Sequence, residues 1–174
     1  MGHWESCHPD CSGNKQKTLH LHCLLDRRDY IMARVKIELP ASFLFSTELT
    51  VYTQHINYGN HLDNAALLGL VSEARMRFFE SLGFTEADTE GAGIIVADAA
   101  VQYKSEVFRG EALVVEYAVG DFSRVGCDLI YRLSEKITGR EVARGKTGIV
   151  FFNYAQRETV PVPQGFLRAT QSGA

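Results

Sequence analysis

A chain of 174 residues, 45% of them hydrophobic and 22% charged, can fill one globular core, which excludes wholesale disorder and leaves little room for a second full domain. The net charge is −3 with acidic and basic residues interspersed, so the chain lacks the positive field that attracts nucleic acid or anionic lipid. No apolar run approaches the roughly 18–20 residues that span a bilayer, and no apolar signal segment opens the chain. We therefore expect a cytoplasmic protein without nucleic-acid or membrane partners.

Residues 1–31 differ from the rest of the chain, because they are polar and follow neither a strand period nor a helix period. We interpret them as an N-terminal appendage, disordered or loosely ordered. The spacing of its candidate zinc ligands matches no standard zinc finger. These ligands are His3, Cys7, His8, Cys11, His20, His22 and Cys23. Three of the four cysteines lie here, which does not describe a disulfide framework.

A strand followed by a long helix opens the patterned part of the chain. The β-branched and aromatic segment 45–53 predicts a strand, and the turn-forming residues 57–60 should end it. From about 61 to 82, apolar residues recur every three or four positions, which predicts a helix with one buried stripe: Leu67, Leu70, Val71, Ala74, Phe78 and Leu82. Gly83 follows as the C-terminal stop of that helix.

Four further strands follow the helix. Alternating or continuous apolar patterns predict them at 93–103, 112–121, 125–134 and 142–154. Their connections are short, so we expect hairpins between antiparallel neighbours and an α+β domain whose sheet wraps around the single helix. Pro161 and Pro163 mark the exit from regular structure, so the domain is expected to span 32–165, with a C-terminal tail at 166–174.

The entry to the helix identifies a family resemblance. The segment Asn57-Tyr58-Gly59-Asn60-His61-Leu62-Asp63-Asn64, leading to Ser72-Glu73-Ala74-Arg75 in the helix, resembles the start of the central helix in hotdog-fold acyl-CoA thioesterases of the 4-hydroxybenzoyl-CoA thioesterase-like family. The similarity covers nearly all of residues 40–163. It implies a hotdog fold, self-association as a dimer or a dimer of dimers, and hydrolysis of an acyl-CoA or acyl-carrier-protein thioester with no metal or redox cofactor.

The catalytic residues match this family less closely. Members carry an Asp-x-Asp-x-x-Gly-His-Val-Asn-Asn type segment and use its second Asp as nucleophile or base, but here that position is Asn57 and the first Asp is His55. A carboxamide takes no proton near neutral pH, so we expect Asn57 to orient water or substrate, or to occupy a left-handed turn. His61 is the leading base: related plant acyl-carrier-protein thioesterases use a His there, and imidazole titrates near neutrality.

Other residues have candidate roles in the same chemistry. The resemblance assigns the oxyanion donor to the backbone amide of Asn64, at the positive end of the helix. Asp63 is a second candidate base or a first-turn acid, and Glu73 is another candidate base or part of a dimer seam. The candidates for substrate binding are Tyr58, Gly59, Asp98, Lys104, Arg109 and Arg124.

Two of these assignments carry alternatives. Lys104, Arg109 and Arg124 are candidates for the phosphates of coenzyme A or are ordinary surface cations. Asp98 lies in an apolar strand, so it must face solvent, find a donor or line the pocket. The resemblance also places the pocket between two subunits, so that residues 93–109 of a second chain face His61.

Two other functions remain open at this point. One is a hotdog module that binds acyl-CoA or another apolar ligand without hydrolysing it, which the absence of Asp at position 57 favours. The other is a hydratase or dehydratase that acts on acyl thioesters, although its usual motifs are not evident.

Overall fold

The computed structural model describes residues 35–171, so the interpretation of residues 1–31 lies outside the described part of the chain. Six strands, two α-helices and one 3-10 turn follow one another along it. In chain order they are β1 Phe45–Thr50, the 3-10 turn Thr53–His55, α1 Asn64–Ser81, β2 Gly93–Tyr103, β3 Ala112–Gly120, β4 Gly126–Glu135, β5 Glu141–Asn153, β6 Glu158–Thr159 and α2 Gln164–Gln171. No helix among them is long and apolar enough to cross a membrane.

The strands form one antiparallel sheet in the order β1-β3-β4-β5-β2, with β6 added to the end of β5. The α+β hotdog architecture is therefore confirmed, with α1 packed against β1 and β3. The strand alternation sets the buried face: Leu129, Tyr131 and Leu133 of β4 are fully buried, whereas the residues between them are only partly buried.

Aromatic side chains hold α1 on the sheet. Phe78 of α1 stacks on Tyr117 of β3 with ring centroids 5.7 Å apart, and the Tyr117 hydroxyl donates to the Val71 carbonyl at 2.8 Å. Tyr117 lies opposite Tyr131 in the β3–β4 register. Burial of each large side chain of this kind stabilises the fold by about 1.5–3 kcal/mol.

Both ends of α1 have clear local causes. Asp63 is the N-cap and accepts hydrogen bonds from the amides of Ala65 at 2.8 Å and Ala66 at 3.2 Å. At the other end Gly83 adopts φ 82°, and its amide and that of Phe84 donate to carbonyls of the last turn. The stop at Gly83 is thus confirmed, and the helix begins about three residues later than its apolar period indicated.

The connection between β2 and β3 differs from the prediction. The expectation of a hairpin is wrong here, because β2 pairs with β5 and β3 pairs with β1 and β4. Residues 104–111 instead cross from one edge of the sheet towards the other. The crossing is held by backbone bonds from Gly110 N to Val51 O at 2.8 Å and from Leu62 N to Val107 O at 2.8 Å. It therefore passes beside the start of α1.

The tail expected at 166–174 is helical as far as residue 171, and residues 172–174 lie outside the described part of the chain. Residues 164–171 form α2, and Phe166 is fully buried between Phe79, 5.4 Å away, and Phe151, 5.2 Å away. The prolines do not end regular structure, because the Pro163 carbonyl accepts from Leu167 N in the first turn of α2. Phe166 ties this segment to the core, together with Leu167 packed against the core and a bond from Gly165 N to Glu90 Oε2 at 2.8 Å.

Candidate active site

Backbone hydrogen bonds and the side chain of Asn57 close the turn before α1. Asn57 N donates to His61 O at 3.0 Å, Asn60 N donates to Asn57 O at 3.1 Å, and Asn57 Oδ1 accepts from Gly59 N at 2.8 Å. The left-handed position is Asn60, at φ 67°, and not Asn57. Asn57 Oδ1 is thus occupied, whereas its Nδ2 donor has no acceptor among residues 35–171.

His61 is held with one ring nitrogen on the backbone. Its Nδ1 lies 3.2 Å from the Leu62 carbonyl oxygen, which only accepts, so this contact favours the tautomer that carries hydrogen on Nδ1. The other nitrogen, Nε2, lies over Gly59: a Cβ added there would be 2.9 Å from Nε2 and 3.1 Å from Asn57 Oδ1. The neutral ring therefore presents the lone pair of Nε2 as a proton acceptor.

The start of α1 supplies hydrogen-bond donors beside this ring. Asp63 Oδ1 occupies the amides of Ala65 and Ala66, which leaves the amide of Asn64, the first helical residue, without an intrahelical acceptor. The Asn64 carbonyl accepts from the Tyr103 hydroxyl at 3.2 Å. Burial, followed by the negative charge of Asp63, raises the pKa of Tyr103, so this hydroxyl stays a donor at neutral pH.

A cleft of about 360 Å³ brings these groups together. One wall is the turn and the helix start, and the other is the crossing segment after β2 together with one residue of β5. The lining residues are Asn57, His61, Leu62, Asn64, Leu67, Tyr103, Lys104, Ser105, Glu106, Val107 and Val142. The cleft lies in the size range of small-ligand sites and mixes apolar side chains with a few polar groups.

Neither of the two predicted catalytic carboxylates, Asp63 and Glu73, lines this cleft. Asp63 is the N-cap of α1, one residue before its first turn, and not an acid within that turn. Glu73 pairs with Arg77 at 2.8 Å and lines a separate groove of about 500 Å³ between α1 and β1, to which His55 also contributes. The structure thus places His61, Asn57 and Asn64 in the lining of one cleft and Glu73 in another.

The predicted substrate-binding residues are scattered. Lys104 lines the cleft, whereas Tyr58, Arg109 and Arg124 are exposed and do not line it. Asp98 faces Lys146 at 4.0 Å, across Gly148, and does not line the cleft either. Gly59 contributes through its missing side chain, which leaves room for the imidazole.

The cleft residues that sequence reasoning missed come from one segment of the same chain. Residues 93–109 of a second subunit are expected opposite His61, and within one chain the wall is lined by its own Tyr103, Ser105, Glu106 and Val107. The available signal was the match at Tyr103 and Lys104 to the thioesterase pattern. This match did not predict the cleft wall, because residues 104–111 were interpreted as a hairpin, which would lie away from the helix start.

An antiparallel sheet wrapped on one long helix, with a cleft at the helix start, defines a hotdog-type domain. A family model described as the thioesterase-like superfamily matches residues 51–170, and the chain belongs to that superfamily. No curated protein sequence matches the chain.

Solved structures with the same fold include a 1,4-dihydroxy-2-naphthoyl-CoA thioesterase from Synechocystis, at TM-score 0.66 and 19% identity over 72% of this chain and 94% of that one. A DHNA-CoA thioesterase from Staphylococcus aureus matches at TM-score 0.66 and 20% identity, over 74% and 89% of the two chains. Another Staphylococcus aureus protein, solved in complex with CoA, matches at TM-score 0.66 and 19% identity, over 77% of this chain and 85% of that one. At these identities the likenesses establish the fold alone.

Proposed function

We propose that this protein hydrolyses an acyl-CoA thioester, or the equivalent acyl-carrier-protein thioester, in the cleft at the start of α1. The observation that carries the proposal is that one cleft is lined by both His61 and Asn64. The Nδ1 contact of His61 leaves Nε2 as its proton acceptor, and the Asn64 amide has no intrahelical acceptor. Thioester hydrolysis needs both: a base for water and donors for the carbonyl oxygen as it becomes negative. Family membership supports the same chemistry.

The proposed reaction uses each group once. Water attacks the thioester carbonyl while His61 Nε2 takes its proton, and the carbonyl oxygen becomes an oxyanion that accepts from the Asn64 amide and from Asn57 Nδ2. The positive end of α1 favours that negative charge. The intermediate then collapses, the carbon–sulfur bond breaks, and the protonated imidazole returns its proton to the thiolate. Free acid and thiol leave, and no metal or redox cofactor is needed.

The acyl group is proposed to lie against the apolar part of the cleft wall, formed by Leu62, Leu67, Val107 and Val142. The size of the cleft suits one acyl or aryl group, and the CoA portion would extend towards solvent past Lys104. The aryl-CoA and CoA named for the fold relatives are in line with this class of substrate.

Self-association is proposed as part of the working protein. Strand β2 forms one edge of the sheet within the described chain, and its Ile95 and Val96 are exposed, which is an edge that soluble proteins normally cover. On α1, Leu68 and Met76 are exposed along one stripe. A second copy that pairs β2 with β2 would cover this edge in an isologous contact, and the exposed side chains of α1 offer a further surface for self-association. Light scattering after size exclusion should give the mass of a dimer or a tetramer, and a monomer at micromolar concentration contradicts this part of the proposal.

The function is tested by release of free thiol from a panel of acyl-CoA and aryl-CoA thioesters. We expect turnover by the natural protein and a fall in kcat of about a hundredfold or more for His61→Ala, since general bases contribute on this scale. His55→Ala is the matched control, because this second imidazole lines the other groove. Equal activity of the two variants, both near that of the natural protein, would remove His61 from the mechanism.

A binding module is the rival function, and the replacement of the family's Asp by Asn57 favours it. Calorimetric titration with acyl-CoA separates the two. Tight binding without thiol release from any substrate of the panel would establish the module and end the enzymatic proposal.

A further inference from the structure

The cleft contains one carboxylate to which no role has been assigned. Among the residues that line it, only Glu106 carries a carboxyl group. The carboxylates at the helix side are occupied elsewhere, Asp63 by the amides of α1 and Glu73 by Arg77 in the other groove. Asn57, which stands where the related proteins carry an acid, cannot supply a negative charge.

Two glutamates near Glu106 have bonded carboxylates, whereas the carboxylate of Glu106 has no partner among the described residues. Glu111 accepts from Phe108 N at 2.7 Å, and Glu141 pairs with Arg144 at 2.6 Å. The Glu106 carboxylate, in contrast, has no hydrogen bond or ion pair with any residue of 35–171. It is thus the nearby carboxylate that remains available to a molecule in the cleft.

The backbone of Glu106 is nevertheless fixed. Arg140 Nη1 donates to the Glu106 carbonyl at 2.5 Å and to Ser105 Oγ at 2.6 Å. On either side, Lys104 N donates to Val142 O at 2.8 Å and Leu62 N donates to Val107 O at 2.8 Å. These bonds fix the backbone position of Glu106 at the cleft wall, and its unbonded carboxylate stays available to a molecule in the cleft.

We propose that Glu106 is a further catalytic residue, whose carboxylate holds the attacking water in the cleft from the wall opposite His61. This inference rests on the proposed thioester hydrolysis. The water donates one hydrogen to the Glu106 carboxylate and the other to His61 Nε2, which orients an oxygen lone pair at the thioester carbonyl. As the carbon–oxygen bond forms, the second proton moves to His61, and the carbon–sulfur bond breaks when that proton passes to sulfur. Glu106 keeps its charge throughout and stabilises the imidazolium that forms between these steps.

The test compares Glu106→Gln and Glu106→Ala with Glu158→Gln, which removes an exposed carboxylate on β6, outside the cleft. We expect kcat for thiol release to fall on the order of a hundredfold in Glu106→Ala, which removes the acceptor of the bound water. A fall is also expected in Glu106→Gln, which keeps an oxygen acceptor but loses the charge that stabilises the imidazolium. KM should change little in both, because neither change removes a contact with the substrate. Glu158→Gln should keep the natural kcat. Thermal melts of all variants should coincide, since Glu106 is exposed and makes no contact that the fold needs.

Acetate provides the readout that a merely structural role would not move. A small carboxylate can enter the space left in Glu106→Ala and accept from the same water, so added acetate should raise kcat of this variant and not that of His61→Ala. The absence of rescue, a rise in KM at unchanged kcat, or a kcat equal to that of Glu158→Gln overturns the role of Glu106, while a loss of activity in His61→Ala still upholds the proposed function. If the natural protein releases no thiol from any substrate, both proposals fall.

Discussion

Gly59→Ala tests the geometry of the cleft without altering any group assigned to the chemistry. The added Cβ would be 2.9 Å from His61 Nε2 and 3.2 Å from Cδ2 of the same ring, whereas ordinary contacts lie at 3.4–4 Å. The imidazole must therefore move by about 0.5–1 Å, since the repulsion between atoms rises steeply below the contact distance. A misplacement of about 1 Å can reduce turnover roughly a hundredfold, so we expect kcat to fall by about tenfold to a hundredfold.

The same substitution should leave the fold almost unchanged. Gly59 is exposed, and its φ lies outside the left-handed region. The atoms that must yield belong to the far ends of two side chains, His61 and Asn57, whose Oδ1 would be 3.1 Å from the added Cβ. The free energy of unfolding should change by less than about 1 kcal/mol. Gly120→Ala is the control, because its added Cβ meets only the tip of Ile130, at 3.4 Å. A Gly59→Ala protein with natural kcat and a natural melting temperature would refute the assignment of Nε2 as the reacting nitrogen.

Two further predictions follow from the site and the core. Asn57→Asp keeps the acceptor for Gly59 N but loses the Nδ2 donor and places a negative charge beside the oxyanion. The kcat for thiol release should therefore fall by about a hundredfold. An increase in kcat would mean that this position works as the acid of its relatives. Burial, aided by the charge of Asp128, raises the pKa of Cys127 to about 12. At pH 8 its thiol should therefore resist iodoacetamide in the native protein and react in denaturant, which peptide mass spectrometry would measure. Rapid labelling of the native protein would contradict the burial.

The strands and α1 could be predicted because their signals are local. In β3 and β4 the apolar alternation holds for nine and ten residues, and each strand begins and ends within one residue of its predicted bounds. The α1 stripe likewise gave the buried face and Gly83 the stop, since a left-handed residue at a helix end favours glycine. The start of α1 was predicted about three residues too early, because the side chain of Asp63 caps the helix there and apolar spacing does not mark that position.

Half of the candidate site could be predicted and half could not, for a physical reason. Asn57, His61 and Asn64 lie within eight residues, so one motif placed them at the helix start. The opposite wall, Tyr103 and Glu106, depends on which strand β2 pairs with, and that choice is made by contacts distant in sequence. Once β5 takes the place beside β2, the chain must cross to reach β3, and it does so beside the helix start.

Phe166→Ala tests the segment that the sequence placed outside the domain. The two prolines before this segment predicted a tail, yet Phe166 is fully buried. It packs on Phe79, Phe84 and Phe151, with ring centroids 5.4, 6.5 and 5.2 Å away. Removal of a phenylalanine ring from such a site costs about 3–5 kcal/mol of unfolding free energy, which urea denaturation would measure. Leu167→Ala, only partly buried beside it, should cost less. Equal stabilities of Phe166→Ala and the natural protein would mean that α2 does not belong to the core.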